Sequence, residues 1–441
     1  MRVSLGGLIL SILPGLAMAE APTTSLRPEA RPEAQQSAPI LSAPKTSLRP
    51  VLRPAVLAKP AVPPVSEATK ARFRRWLTGF LARARSEGIQ ESTLDRALRS
   101  VAYDPEVIQR DSNQSEFTKT LWDYLDSAAS DSRIENGQTA LRTHAATLQR
   151  IEDTYQVDKE VVVAIWGLES AYGTFRGSKP VIQSMATLAF DGRRQKFFEA
   201  QLIAALKIIQ KGDTEPRNMT GSWAGAMGHT QFMPTSFQTL AVDYTGDGRR
   251  DIWSDDPTDA LASTANFLKS KGWTYGQPWG VEVHLPSGFD HAQASRKIQR
   301  MPSDWARRGV MGINGQPVPE YGTASILLPA GHSGPAFLVF GNFRVIERYN
   351  PADAYVIGVG HLSDRLVGGP AIQGTWPRGD RALTRSERKE LQRRLTARGF
   401  NTRGVDGRIG PRSVQALRDY QKSQGLPQDG YASPGILQRL R

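Results

Sequence analysis

Residues Ala164–Gly173 read "AIWGLESAYG" and place one carboxylate, Glu169, among Ile165, Trp166, Leu168, Ala171 and Tyr172. The segment before it, "VVVA", is apolar as well. A stretch apolar on all sides predicts a helix in the middle of a core. An ionised carboxylate is costly to bury unless paired, and burial favours its protonated form. The stretch therefore reads either as a solvated helix or as a site that uses a neutral carboxylic acid.

Outward from this stretch the pattern is helical. "ARFRRWLTGFLARARSEG" sets Phe73, Trp76, Phe80 and Leu81 on one stripe and stops at a glycine. "STLDRALRSV", "SEFTKTLWDYLDSA" and the long "QTALRTHAATLQRIEDTYQV" follow, the last read as one helix leading into Glu169. Beyond it, "RRQKFFEAQLIAALKIIQKGD" spaces Phe197, Phe198, Leu202, Leu206 and Ile209 helically. Short strands are expected around "WGVEVHLP" and "AFLVFGNF". The expected fold is mainly α: a helical domain over residues 67–365 with a few short strands, a Gly/Pro-rich linker over 366–380, and a small three-helix unit over 381–441.

The N-terminus reads as an address. A basic start, the apolar run "LGGLILSILPGLAMA" and Ala17-Met18-Ala19 fit a cleaved signal peptide over residues 1–19. Residues 20–66 are rich in Pro, Ala and Ser and repeat "TSLRP", so they read as an extended tether. No later segment is apolar enough to span a bilayer. The expectation is a periplasmic protein.

The chain of 441 residues has no cysteine, which excludes disulfides, thiolate chemistry and a lipoprotein anchor. Its net charge of +13 would suit nucleic acid, but export makes lipid head groups or the cell wall the expected polyanions. Residues 381–441 alone hold 14 Lys/Arg against 5 Asp/Glu.

Two more stretches combine polar groups with tight turns. "GSWAGAMGHTQFMPTSF" (221–237) sets Ser222 and Gln231 among glycines and apolar residues, a composition that admits close approach of a ligand or, equally, tight helix packing. "ERYNPADAY" adds Tyr349, Asn350 and Tyr355, aromatic platforms and an amide of the kind sugars are recognised by. A third stretch, "DYTGDGRRDIWSDDPTD", opens like a calcium loop, with Asp243, Thr245, Asp247 and Gly248 at positions one, three, five and six. Its twelfth position is Ser254 instead of a bidentate glutamate, so a standard EF-hand fails, and Arg249 and Arg250 inside it could take over part of a cation's role.

In this order and spacing the motifs resemble the lytic murein transglycosylases of the membrane-bound lytic transglycosylase B type, over roughly residues 70–365. The resemblance implies a lysozyme-like helical fold and cleavage of the bond between N-acetylmuramic acid and N-acetylglucosamine in peptidoglycan. It implies that Glu169 is the sole catalytic acid/base and that Ser222 and Gln231 line the glycan cleft. It also brings Tyr349, Asn350 and Tyr355 near the carboxylate. His229-Thr230 stand where relatives often carry an aromatic residue and a glycine, a departure expected to touch a subsite only. The resemblance further implies an acidic loop closed by Asp259. Asp243, Thr245, Asp247, Arg249 and Asp259 are then the candidates for a structural calcium of modest affinity, with no cofactor required for catalysis.

The implied chemistry needs one carboxylate where most glycosidases use two. Glu169 protonates the glycosidic oxygen, then takes the proton of the muramic C6 hydroxyl as that oxygen closes a 1,6-anhydro ring. Burial tunes lysozyme's acid in the same way. Two other readings stay open: a muramidase in which Asp191, Asp243 or Asp247 activates water, and a wall-binding scaffold without activity.

The C-terminal unit resembles the small peptidoglycan-binding domain of wall enzymes through Leu391, Gln392, Leu395, Asp406-Gly407, Gly410, Ala416, Tyr420, Gln421, Gly425, Leu426 and Asp429-Gly430. These are packing and turn residues. Its basic surface suits peptidoglycan glycan strands bearing acidic peptides, and tethering raises their local concentration. Other cell-wall enzymes are expected as further partners of the tether.

Overall fold

The computed structural model describes residues 64–112 and 119–441. The signal-peptide reading over 1–19 and the tether reading up to residue 63 lie outside the described residues. Seventeen α-helices and six short strands occur among the described residues.

The first helix, Glu67–Ser86, starts where Ser66 Oγ accepts the Thr69 N–H and ends before Gly88, which adopts a left-handed conformation. Its Phe73 and Trp76 join Tyr103 and Phe190 in an aromatic cluster. At the middle of the helical core lies Lys159–Ser170, buried on every side from Val161 to Gly167. Its start is anchored by Asp158, whose carboxylate accepts the Trp273 Nε1–H at 2.7 Å and the Gly276 N–H. Helix Asp353–Leu366 packs along it, and Gly358 makes this close approach: a Cβ there would lie 2.9 Å from Tyr124 and 3.6 Å from Leu168.

One sequence expectation is corrected. The stretch from Gln138 to Val157 is not a single helix: Asp131–Thr143 ends and Ala145–Tyr155 begins at His144. The break lets both segments pack on the Glu169 helix, and the His144 ring meets the Trp166 edge at 5.5 Å. Neither proline nor glycine marks the break, so tertiary packing decides it.

Residues 280–340 carry a second small core. Strands Met311–Gly312, Gly280–His284, Ala336–Val339 and Ser325–Leu327 form an antiparallel sheet in that spatial order, with Val281 opposite Leu338. Trp305 is fully buried beneath it and donates its indole N–H to Ala324 O.

Helices Arg385–Ala397, Pro411–Ser423 and Pro434–Leu440 enclose a third core. The first carries a capping box between Thr384 and Glu387. Two buried amides fasten the Asp-Gly turns: Gln392 bonds Asp406 and the Gly407 N–H, and Gln421 bonds Asp429 and the Gly430 N–H.

Residues 366–380 are a strap pinned at several points. Glu282 accepts the N–H groups of Gln373 and Gly374, Trp376 packs against Trp122, and Arg378 pairs with Asp126 through two hydrogen bonds. The C-terminal unit itself rests on residues 291–332. Asp429 Oδ2 accepts from both the backbone N–H (2.9 Å) and Nδ1 (2.7 Å) of His332, and Arg418 donates to Ala294 O.

Candidate active site

Glu169 is the last residue but one of its helix, and it is partly exposed where its predecessors are buried. Between the two readings left open by the sequence, the end of the helix brings Glu169 to the edge of the core, partly exposed. Tyr355 Oη donates to Glu169 Oε1 at 2.7 Å. Tyr349 stacks nearly parallel to Tyr355, with centroids 6.5 Å apart and an 8° interplanar angle, and donates to Thr230 O at 2.5 Å. Desolvation first, then the Glu169 charge, pushes both phenols far above the usual tyrosine range, so they remain donors at any working pH.

The chain leaves the Glu169 helix through three successive left-handed residues: Ala171 (φ 48°), Tyr172 (φ 57°) and Gly173 (φ 85°). The first two are not glycines, and each left-handed non-glycine residue costs on the order of 1–3 kcal/mol. Surrounding bonds hold the turn. Tyr172 Oη donates to Arg133 O at 2.8 Å, and Arg133 reaches back to Gly167 O. Gly167 is needed there, because a Cβ would meet the Tyr172 ring at 2.6 Å.

The glycine-rich segment faces this turn. Gln231, itself left-handed at φ 55°, donates to Arg176 O and Gly228 O, and Ser222 Oγ accepts the Ala226 N–H. Asn350 Oδ1 accepts the Ala352 N–H and shapes the turn into the Tyr355 helix. The structure thus joins Glu169, Tyr349 and Tyr355 directly. Gln231 reaches the Glu169 turn through Arg176, while Ser222 and Asn350 fold the segments that carry the others. Sequence reasoning missed Arg133, Ser170 and Trp166 as parts of this arrangement, and no spacing signal marks them.

The acidic loop stands apart. Asp243 accepts the N–H groups of Gly246, Asp247 and Gly248, and Asp247 Oδ1 accepts that of Arg249. Asp259 takes those of Tyr244, Thr245 and Asp251, and the Thr245 hydroxyl donates to Asp243. Among the described residues no three His, Asp or Glu side chains converge as a metal-holding group. Arg250 does not fill that place either: it turns away to Asp213 at 2.6 Å and lies over the Phe237 ring at 4.6 Å.

The family described as Transglycosylase SLT domain matches residues 72–364. The chain belongs to that family. A second match, to the putative peptidoglycan binding domain, covers residues 384–440 of this SLT-family chain. The membrane-bound lytic murein transglycosylase B of Escherichia coli K12 is 33% identical over 241 residues, or 53% of this chain. The SLT-family chain spans 64% of the length of that relative. It is also similar to SltB3 of Pseudomonas aeruginosa, solved in complex with NAG-anhNAM-pentapeptide: 51% identity, a TM-score of 0.82, 84% of this chain and 99% of the other. The E. coli lytic transglycosylase Slt35 in complex with calcium is more distant, at 28% identity and a TM-score of 0.58 over 68% of this chain and 94% of that one. No helix among the described residues is long and apolar enough to cross a membrane.

Proposed function

We propose that the chain is an exported lytic transglycosylase that cleaves the MurNAc–GlcNAc β-1,4 bond of peptidoglycan and leaves 1,6-anhydromuramic ends. The observation that carries this is the 2.7 Å bond from Tyr355 to Glu169, which joins one carboxylate to the paired tyrosines at the mouth of the helical core. Glu169 enters protonated and gives its proton to the glycosidic oxygen as the C1–O bond breaks. The Tyr355 hydroxyl stabilises the carboxylate so formed. That carboxylate then takes the proton from the C6 hydroxyl, whose oxygen bonds to C1 and closes the ring. The acid is regenerated and no water is consumed. The solved complexes of the related SltB3 with anhydro- and non-anhydro-muropeptides support the same substrate class.

Ser222, Gln231, Tyr349 and Asn350 shape the glycan cleft in this reading. The acidic loop is a structural brace in this reading, with Asp243 and Asp259 holding its backbone N–H groups; the related Slt35 was solved in complex with calcium. The basic C-terminal unit holds wall strands, and export places the enzyme in the periplasm.

The test is mass spectrometry of products from purified peptidoglycan, wild type beside Glu169→Gln. Anhydromuramic ends from the wild type alone are the expected result. Reducing ends would make the protein a muramidase, and binding without products would leave a scaffold. Glutamine keeps an acceptor for Tyr355, so the variant is expected to match the parent in thermal stability.

A further inference from the structure

The left-handed turn behind Glu169 is braced by one imidazole. Ser170 Oγ accepts the Gly173 N–H at 2.9 Å and donates to His229 O at 2.5 Å. Trp166 Nε1 donates to His229 Nδ1 at 3.1 Å. His229 Nε2 lies 2.7 Å from Ser254 O. A Cβ on Gly173 would come within 2.6 Å of the imidazole, so the turn lies directly against the ring.

These contacts fix the tautomer. An indole nitrogen only donates, so Nδ1 must be bare and Nε2 must carry the hydrogen given to Ser254 O. Arg176 lies 3.2 Å from Nε2 and directs its hydrogens to Trp253 O and Ser254 O instead. A second proton on the ring would set an Nδ1–H against the Trp166 N–H and a cation beside Arg176. The other charged groups facing the ring are Asp255, which pairs with Arg176, Asp251 and Asp256; His144 packs on the far side of Trp166. A cleft of about 270 Å³ lined by His144, Trp166, Tyr172 and Arg176 opens beside His229 and gives protons a path.

We propose that neutral His229 is a positioning residue for the reaction, holding the turn after Glu169 so that the carboxylate stays on Tyr355, and that protonating it disables the site. This rests on the function proposed above and deepens it. Burial lowers the proton affinity of the ring below the ordinary histidine range, so the brace survives mild acid and fails as pH falls further. In the proposed mechanism Glu169 starts protonated, and loss of the brace lowers the rate on the acid side of the profile. The acid limb belongs to His229.

The experiment is kcat and KM against pH on soluble peptidoglycan strands, with nitrogen NMR of the labelled imidazole. His229→Leu is expected to lose about 100-fold in kcat, the scale of a small displacement of a reacting group, with KM little changed. His229→Asn keeps an acceptor for Trp166 without titrating, so it should retain most of kcat and lose the acid limb. A wild-type profile in His229→Leu, or a rise in KM at constant kcat, would overturn the assignment. If the leucine variant does not fold, the asparagine profile decides: an unchanged acid limb there would equally overturn it. The NMR tests the geometry in wild-type protein whatever its activity. An Nε2–H tautomer at neutral pH is expected, and an Nδ1–H or doubly protonated ring would refute the proposal even if no transglycosylase were found.

Discussion

Tyr355 and Glu169 lie 186 residues apart in the chain and share a 2.7 Å hydrogen bond. The bond crosses from one core helix to another, so each is held by a different part of the fold. Tyr355→Phe removes the donor and keeps the ring. A hydrogen bond to a charged partner contributes about 1.5–3 kcal/mol, so kcat should fall on the order of 10- to 100-fold. The melting temperature should stay near that of the parent, and an unchanged kcat would remove Tyr355 from the mechanism.

Asp213 and Arg250 form the most enclosed ion pair described above, with side-chain exposures of 1% and 13%. Asp213→Ala leaves a largely buried guanidinium without its partner. The expected loss is about 3–5 kcal/mol, read from urea denaturation. A loss below about 1 kcal/mol would mean that water or Phe237 satisfies Arg250.

The acidic loop closes on its own N–H groups, so calcium should leave the protein's stability almost unchanged. A site saturated a hundredfold above its Kd would add about 2.7 kcal/mol. A thermal shift of that size on adding calcium, reversed by a chelator, would show that the loop rearranges into a true cation site.

Asp364 is half-buried and accepts the Trp279 Nε1–H at 2.9 Å, and desolvation pushes its carboxyl up to about 7 from 3.8. The folded state therefore holds a proton that the unfolded chain releases. The stability this gives is complete below the unfolded value and is lost as pH rises through about 7. Asp364→Asn stays neutral and keeps an acceptor. It should raise the melting temperature at pH above 7 and have little effect near 3.8. An equal gain at both ends would trace the effect to packing.

Asp429 fastens the C-terminal unit to His332 while it also bonds Gln421 within its own unit. His332→Ala removes the imidazole bond between the two units and leaves the backbone N–H bond to Asp429 in place. Small-angle scattering should then report a longer, more variable particle, with the turnover of short soluble strands unchanged. An unaltered scattering profile would mean that the backbone bond, the strap and Arg418 hold the unit without the imidazole.

The helical class was readable because long stripes such as Phe73, Trp76 and Phe80 repeat at helical spacing, and Glu169 stood out against its apolar surroundings. Of the motif residues Tyr355 bonds it, and Tyr349 stacks on Tyr355. What could not be read depended on contacts distant in sequence. The break at His144 carries no local signal, because it is set by packing on Trp166. The turn at Ala171–Gly173 has left-handed residues that only Gly173 advertises. His229 looked like a subsite change, since its bond to Trp166 spans 63 positions. The acidic loop is read only in part: its spacing gave the oxygens, and not that Asp243 and Asp259 also take up the loop's backbone N–H groups.

The strap over residues 366–380 has one more consequence. Glu282, Trp122 and Asp126 grip it and His332 holds the unit beyond, which would keep the C-terminal unit at one distance from Glu169. A wall strand gripped at one end would reach Glu169 at a set number of sugars, so the enzyme would measure as it cuts. Loosening the grip would turn a ruler into a leash, and fragments of regular length would give way to a broad spread.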